Sequence, residues 1–169
     1  YQKPSEEILE LVDAPLAPAV ILTDDGEHMI LLYRNKYKSI AELSEKELRL
    51  AGLRINPKTN IGSRTTYYTN VKVKAVGDKE AKQVTDLPQN PRLANFSISP
   101  DQSKIALTNT TEEGVEVWVL DIKNATVIKL SKPMVNANMR DVINWFKDGT
   151  SILVKMLPQD RKPLINVTE

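Results

Sequence analysis

Leu93-Ala94-Asn95-Phe96-Ser97-Ile98-Ser99-Pro100-Asp101-Gln102-Ser103-Lys104-Ile105-Ala106-Leu107 opens the stretch, running on to Leu130, whose reading decides the fold. Phe96 and Ile98 alternate into the turn Ser99–Gln102, and Ile105 and Leu107 alternate out of it. Val115, Val117 and Val119 share one face of a third strand, and Val127 to Leu130 supply a fourth. Alternation with a period of two, bounded by turn residues, marks half-buried antiparallel strands. A four-stranded sheet with two apolar faces cannot bury both by itself. Copies packed on either side solve the problem, and that is the logic of a propeller blade.

Working outward, two further hairpins repeat the pattern. Thr23-Asp24-Asp25-Gly26 and Phe146-Lys147-Asp148-Gly149 stand where Ser99–Gln102 stands. Apolar residues lie three and five positions before each central aspartate: Leu22 and Val20, Ile98 and Phe96, Trp145 and Ile143. A further apolar residue lies four after it: Met29, Ile105 and Ile152. Ser or Thr at the first position, Pro100 at the second and Gly at the last suit a type I turn that goes left-handed at its end. Gln102 breaks the glycine rule, so mild strain is expected there. The central aspartates lie at 25, 101 and 148, giving steps of 76 and 47 residues. The second step matches a blade repeat of ~40–50 residues. The first fits a blade that carries an insertion.

The sequence therefore predicts an all-β chain: a partial β-propeller of two four-stranded antiparallel blades plus an incomplete third, with a short helical insertion. The expected divisions are an N-terminal arm with a short helix at 1–16, a first blade at 17–92 with the insertion at 36–65, a second blade at 93–131, and part of a third at 132–169. In the arm, Ser5 is placed to cap a helix over Ile8, Leu9, Leu11 and Val12, with Glu6 and Glu7 in its positive first turn. In the insertion, Ser39-Ile40-Ala41-Glu42 is a capping box. Ile40, Leu43, Leu48 and Leu50 suggest an apolar helical stripe that ends at Gly52. Leu53–Arg64 then reads as a long polar loop, and such loops are functional or mobile. Arg54 and Arg64 are its candidate substrate-binding residues, because guanidinium pairs a carboxylate bidentately. The other reading of the same two residues is that they satisfy backbone carbonyls and pack the loop. Val71 and Val73 are expected to face in, with Lys72 and Lys74 facing solvent, and Ala81–Thr85 to form a fourth strand.

Charge narrows the partners. The 169 residues hold 23 Lys and Arg against 22 Asp and Glu, a net +1, which gives no electrostatic case for nucleic acid or an anionic membrane. No apolar run approaches the ~18–20 residues that span a bilayer. Tyr1-Gln2-Lys3-Pro4 does not resemble a signal peptide. Without cysteine there is neither disulfide nor thiolate metal site. Asn95, Asn109, Asn124 and Asn166 each begin an Asn-x-Ser/Thr pattern.

Ile8-Leu9-Glu10-Leu11-Val12-Asp13-Ala14-Pro15, Leu50–Asn56 and Asn60-Ile61-Gly62-Ser63-Arg64 carry a family resemblance. They resemble the start of the prolyl oligopeptidase family, and within it the glutamyl endopeptidase branch of bacteria and plant chloroplasts. The resemblance covers essentially the whole chain and is most specific over Leu50–Arg64. It implies an N-terminal propeller that gates and positions peptides for an α/β-hydrolase domain with a Ser-Asp-His triad, with cleavage after glutamate. It also implies a periplasmic or secreted location.

The catalytic half of that pattern is missing here. Asn60–Arg64 lacks both framing glycines of a Gly-x-Ser-x-Gly elbow, and His28, the one histidine, reads as a partly exposed strand residue. The expectation is a segment with no catalytic residues, no cofactor and no metal site. Its expected partners are a hydrolase domain of the same parent chain and a peptide substrate, without nucleic acid or membrane, and with self-association possible through open sheet edges. Two other readings remain: a stand-alone propeller-like interaction module, and a small hydrolase acting through Ser63.

Overall fold

The computed structural model describes residues 3–161. In chain order it contains α1 (Glu6–Asp13), β1 (Ala19–Leu22), β2 (His28–Tyr33), α2 (Ile40–Leu43), β3 (Leu48–Leu50), β4 (Leu53–Asn56), β5 (Ile61–Gly62), β6 (Asn70–Ala75) and β7 (Lys82–Gln83). It continues through β8 (Leu93–Ile98), β9 (Lys104–Thr110), β10 (Val115–Asp121), β11 (Thr126–Lys129), β12 (Ile143–Trp145) and β13 (Ile152–Val154). These form an antiparallel first sheet β1-β2-β6-β7, a middle sheet β11-β10-β9-β8, a hairpin β12-β13 and a small sheet β3-β4-β5. The described residues are thus all-β with two short helices.

The three repeated turns are congruent. Leu22 pairs Met29, Ile98 pairs Ile105 and Trp145 pairs Ile152. The next rung is equally conserved in form: the N–H groups of Thr23, Ser99 and Phe146 donate to the carbonyls of His28, Lys104 and Ser151 at 3.0, 2.9 and 3.0 Å. The last turn residue is left-handed in each, with φ of 72° at Gly26, 59° at Gln102 and 66° at Gly149. Gln102 therefore does adopt the conformation that its side chain disfavours. The central aspartates close the turns from within. Asp101 Oδ1 accepts from Ser99 Oγ at 2.5 Å and Oδ2 from Ser103 Oγ at 2.7 Å. These bonds, Ser99's first, hold the Asp101 carboxyl down to about 2.

Packing follows from the alternation in β9 and β10. Ile105, Leu107 and Leu120 join Ile30, Leu32, Val71 and Val73 of the first sheet in one core. Ala106, Val115, Val117 and Val119 point the other way, into a second core with Val135, Val142 and Ile143. The middle sheet is therefore buried on both faces, between the first sheet and the β12-β13 hairpin. Each fully buried Leu or Ile contributes about 1.5–3 kcal/mol. Glu116, buried in β10, keeps its charge by accepting from Trp118 Nε1 at 3.0 Å and from the Lys129 ammonium. Burial pushes its carboxyl up, but those bonds outweigh it and the group lies below its ordinary range. The outer face of the first sheet carries Val20 and Leu22, 53% and 55% exposed, and that of the last hairpin carries Leu153, 61% exposed.

Several expectations need correction. Ser5 precedes α1 but makes no side-chain cap bond. The capping box at Ser39 and Glu42 forms, yet its helix ends at Leu43. The insertion is not helical beyond that point. Leu48–Leu50 and Leu53–Asn56 are strands joined by a two-residue turn, Ala51-Gly52, with both φ positive at 45° and 86°. That is the turn whose twist matches a hairpin. Leu53–Arg64 is correspondingly no open loop: β4 returns through a turn at Asn56–Asn60 to β5. The fourth strand of the first sheet is only Lys82–Gln83, while Thr85 makes a parallel bridge to Thr126 of the middle sheet. The lysine face is as expected, with Val71 and Val73 buried between Lys72 and Lys74. Asn109 is buried, whereas Asn95 and Asn124 are exposed. Asn166 and the end of the 132–169 division lie outside the described residues.

Candidate functional site

The sheets have two different ends. At one, the three turns touch in succession: Asp24 N–H donates to Gln102 Oε1 at 2.8 Å, and a Cβ built on Gly149 would lie 3.2 Å from the Asp101 carboxyl carbon. At the other, β2 runs out at Tyr33 and the insertion begins.

The insertion is tied down along its length. Thr69 N–H donates to the Tyr33 carbonyl at 2.7 Å, and Tyr68 exchanges two 2.9 Å bonds with Leu93. Ile61, 1% exposed, enters the second core, and Ala137 N–H donates to the Asn60 carbonyl at 2.9 Å. The small sheet is thereby pinned across the end of the middle sheet. Between it, the Arg34–Ser39 segment and the Asn90–Arg92 connection lies a groove of about 920 Å³.

Its floor is a chain of polar contacts. The Arg92 guanidinium lies over the Tyr67 ring, 4.3 Å from the centroid, and its Nη1 donates to Glu45 Oε1 at 3.2 Å. Glu45 Oε2 accepts from Asn56 Nδ2 at 2.6 Å, while Asn56 Oδ1 caps the turn by accepting from the Lys58 and Thr59 N–H groups at 3.0 and 3.2 Å. Burial pushes the Tyr67 phenol up, against the pull of the Arg92 charge. Two buried polar atoms on this floor, Arg92 Nε and Thr59 Oγ1, have no hydrogen-bond partner among the described residues. Such atoms cost free energy unless something satisfies them.

The charge of the groove departs from that of the chain. Six basic residues line it, Arg34, Lys36, Lys38, Lys46, Lys58 and Arg92, against three acidic ones. Two of the acids are engaged. Glu42 accepts from Ser39 in the capping box and Glu45 pairs Arg92, while Glu112, almost fully exposed, lies 4.0 Å from Lys58. Among the described residues Lys36 and Lys38 donate only to the carbonyls of Val12 and Thr65 and meet no carboxylate.

The two arginines singled out in the sequence lie elsewhere. Arg54 Nη1 pairs Glu47 Oε1 at 2.9 Å, and Arg49 Nε reaches the same oxygen at 3.0 Å. Ser63 Oγ donates to the other Glu47 oxygen. Ser63, then Arg49 and Arg54, hold the Glu47 carboxyl down to about 2. Arg64 is exposed just beyond β5 and joins no ion pair among the described residues. Neither arginine lines the groove. Ser63 has Glu47 as its partner, whereas His28 begins β2 at the opposite, turn end. Among the described residues no group of three His, Asp or Glu side chains is placed to hold a metal ion.

Sequence reasoning missed Arg92, Tyr67 and Glu45. They converge from three separated segments, and the only local signal was an arginine directly after Pro91 in a connection rich in turn formers.

No protein-family model matches the chain. Two plant proteins are similar to it, both bearing the name "Probable glutamyl endopeptidase, chloroplastic". The one from Arabidopsis thaliana is 26% identical over 185 residues, covering 98% of this chain and 19% of that protein. The one from Oryza sativa subsp. japonica is 25% identical over 173 residues, covering 95% of this chain and 18% of that protein. The chain thus spans about a fifth of the length of the curated relatives it matches. The similarity is distant, and it relates this segment to peptidases. No helix among the described residues is long and apolar enough to cross a membrane.

Proposed function

We propose that this chain is a non-catalytic β-propeller segment of a serine peptidase of the prolyl oligopeptidase kind, which gates and positions peptides for an α/β-hydrolase domain. The observation that carries the reading is the middle sheet, buried on both faces between neighbours that open with the same hairpin. Sheets stacked in this manner with an apolar outer face are what propeller closure requires. On this reading 17–92 is a first blade with its insertion at 36–65, 93–131 a second, and 132–169 part of a third. Similarity to proteins named glutamyl endopeptidase supports peptides as substrate and glutamate as the preferred residue. A periplasmic or secreted home belongs to the same proposal.

Arg64, exposed and without an ion-pair partner among the described residues, is the freer of the two candidate carboxylate contacts. Arg54 would have to share its charge between substrate and Glu47. In the longer parent polypeptide, Arg64→Ala is then expected to raise KM for glutamyl peptides with little change in kcat. The reading as a whole is tested by assaying glutamyl peptides with that polypeptide and with the 169-residue chain alone. Cleavage by the longer protein only is the expected result. Cleavage by the chain alone, abolished by Ser63→Ala, would contradict it.

A further inference from the structure

We infer that the groove between the insertion and the Asn90–Arg92 connection binds a short acidic peptide segment, with Arg92 as its anchoring cation. The inference takes the peptide nature of the ligand from the reading above; the anionic preference comes from the groove itself.

Three observations converge on it. Charge is the first. A chain of nearly balanced charge gathers six basic residues here against three acids, and two of those acids, Glu42 and Glu45, are already engaged. Arg34, Lys36, Lys38 and Lys46 make no carboxylate contact among the described residues. Low-dielectric walls around one sign of charge concentrate the opposite sign.

The second is the pair of orphan atoms. Thr59, 4% exposed, offers a buried hydroxyl without a partner, and Arg92 offers a buried Nε–H. Both are donors, and peptide carbonyls and carboxylates are acceptors. The Tyr67 ring beneath Arg92 and the Nη1 bond to Glu45 fix the guanidinium in place. Little rotamer entropy is then lost when a ligand carboxylate engages the guanidinium.

Size is the third. A volume of about 920 Å³ is far beyond one phosphate or one carboxylate, and falls in the range of sites for ligands of several hundred daltons. Pro57, Pro91 and Tyr37 add apolar wall that a polypeptide uses and a small anion does not. Nucleic acid is the less suited polyanion, because a chain of net charge +1 lacks the broad positive field a polyphosphate favours and the Tyr67 face is occupied by Arg92.

The test measures fluorescence anisotropy of labelled hexaglutamate with this chain, beside hexaglutamine of the same length. Hexaglutamate should bind at least about tenfold tighter, with affinity falling as salt screens the groove. The Lys38→Glu/Lys46→Glu double variant changes two exposed residues, so its fold is expected to survive, as circular dichroism would show. It should lose about tenfold or more of hexaglutamate affinity. Arg92→Lys, which keeps the charge but not the planar fork, should also weaken binding. Equal affinity for the two peptides, or affinity unmoved by the double variant, would overturn the inference. So would displacement by inorganic phosphate at matched ionic strength, or tighter binding of an oligothymidylate. Binding is read without hydrolysis, so its failure and a failure of the peptidase reading are separate results.

Discussion

The two ends of the stacked sheets solve the same problem, reversing a chain at the edge of a sheet, in opposite ways. At the turn end, each reversal is closed by its own aspartate: Asp25, Asp101 and Asp148 all accept from residues within two positions. Polar groups there are consumed locally, and the turns lock to one another through Gln102–Asp24. At the groove end the chain takes a long excursion in which local caps at Ser39 and Asn56 are joined by contacts as distant as Glu45–Arg92, 47 positions apart, and two buried groups have no partner among the described residues. A turn that satisfies itself is a structural part. The end that leaves buried donors open is the one to which the acidic-peptide inference belongs.

The largest expected effect tests whether the groove end is a folded part of the core or a loose flap. Ile61 anchors the insertion in the second core, so Ile61→Ala should cost about 2–5 kcal/mol in global stability by urea unfolding. A loss below about 0.5 kcal/mol, the scale of surface changes, would mean that the insertion folds separately. The turn end should respond next. Gly149→Ala places a side chain at φ 66° and 3.2 Å from Asp101, and should cost about 1–2 kcal/mol.

Acid sharpens the contrast. Asp101 at the turn end and Glu47 in the insertion are both held down to about 2. A depressed folded-state value means that the stabilisation is complete above the ordinary carboxylate range and fades as pH falls toward 2. The urea midpoint should therefore drop between about pH 4.5 and 2, and Asp101→Asn should flatten part of that drop. An unchanged slope would show that the Ser99 and Ser103 bonds carry no linkage. Smallest of all, Lys46→Glu should move stability by no more than about 0.5 kcal/mol, since its exposed ammonium pairs with nothing among the described residues.

The turn end was legible in the sequence because its chemistry is local. Thr23-Asp24-Asp25-Gly26 carries the side-chain acceptor and the left-handed residue within four positions, and Val20, Leu22 and Met29 set the alternation on either side. The middle sheet was legible for a similar reason: Ile105-Ala106-Leu107 and Val115–Val119 announce two buried faces. The insertion was misread because a true capping box at Ser39 invited a helix to continue. The signal against it was present, since Leu48-Arg49-Leu50 and Leu53-Arg54-Ile55 alternate with a period of two about Ala51-Gly52. The groove could not be read at all. Arg92, Glu45 and Tyr67 are brought together only when the insertion folds back over the sheets, a juxtaposition that no local pattern encodes.

Amide hydrogen exchange with and without hexaglutamate tests the division most directly. The account predicts added protection over Arg34–Lys46 and Asn90–Arg92, and none at the turns around Asp25, Asp101 and Asp148. Protection at those turns instead, or evenly over both ends, would contradict it.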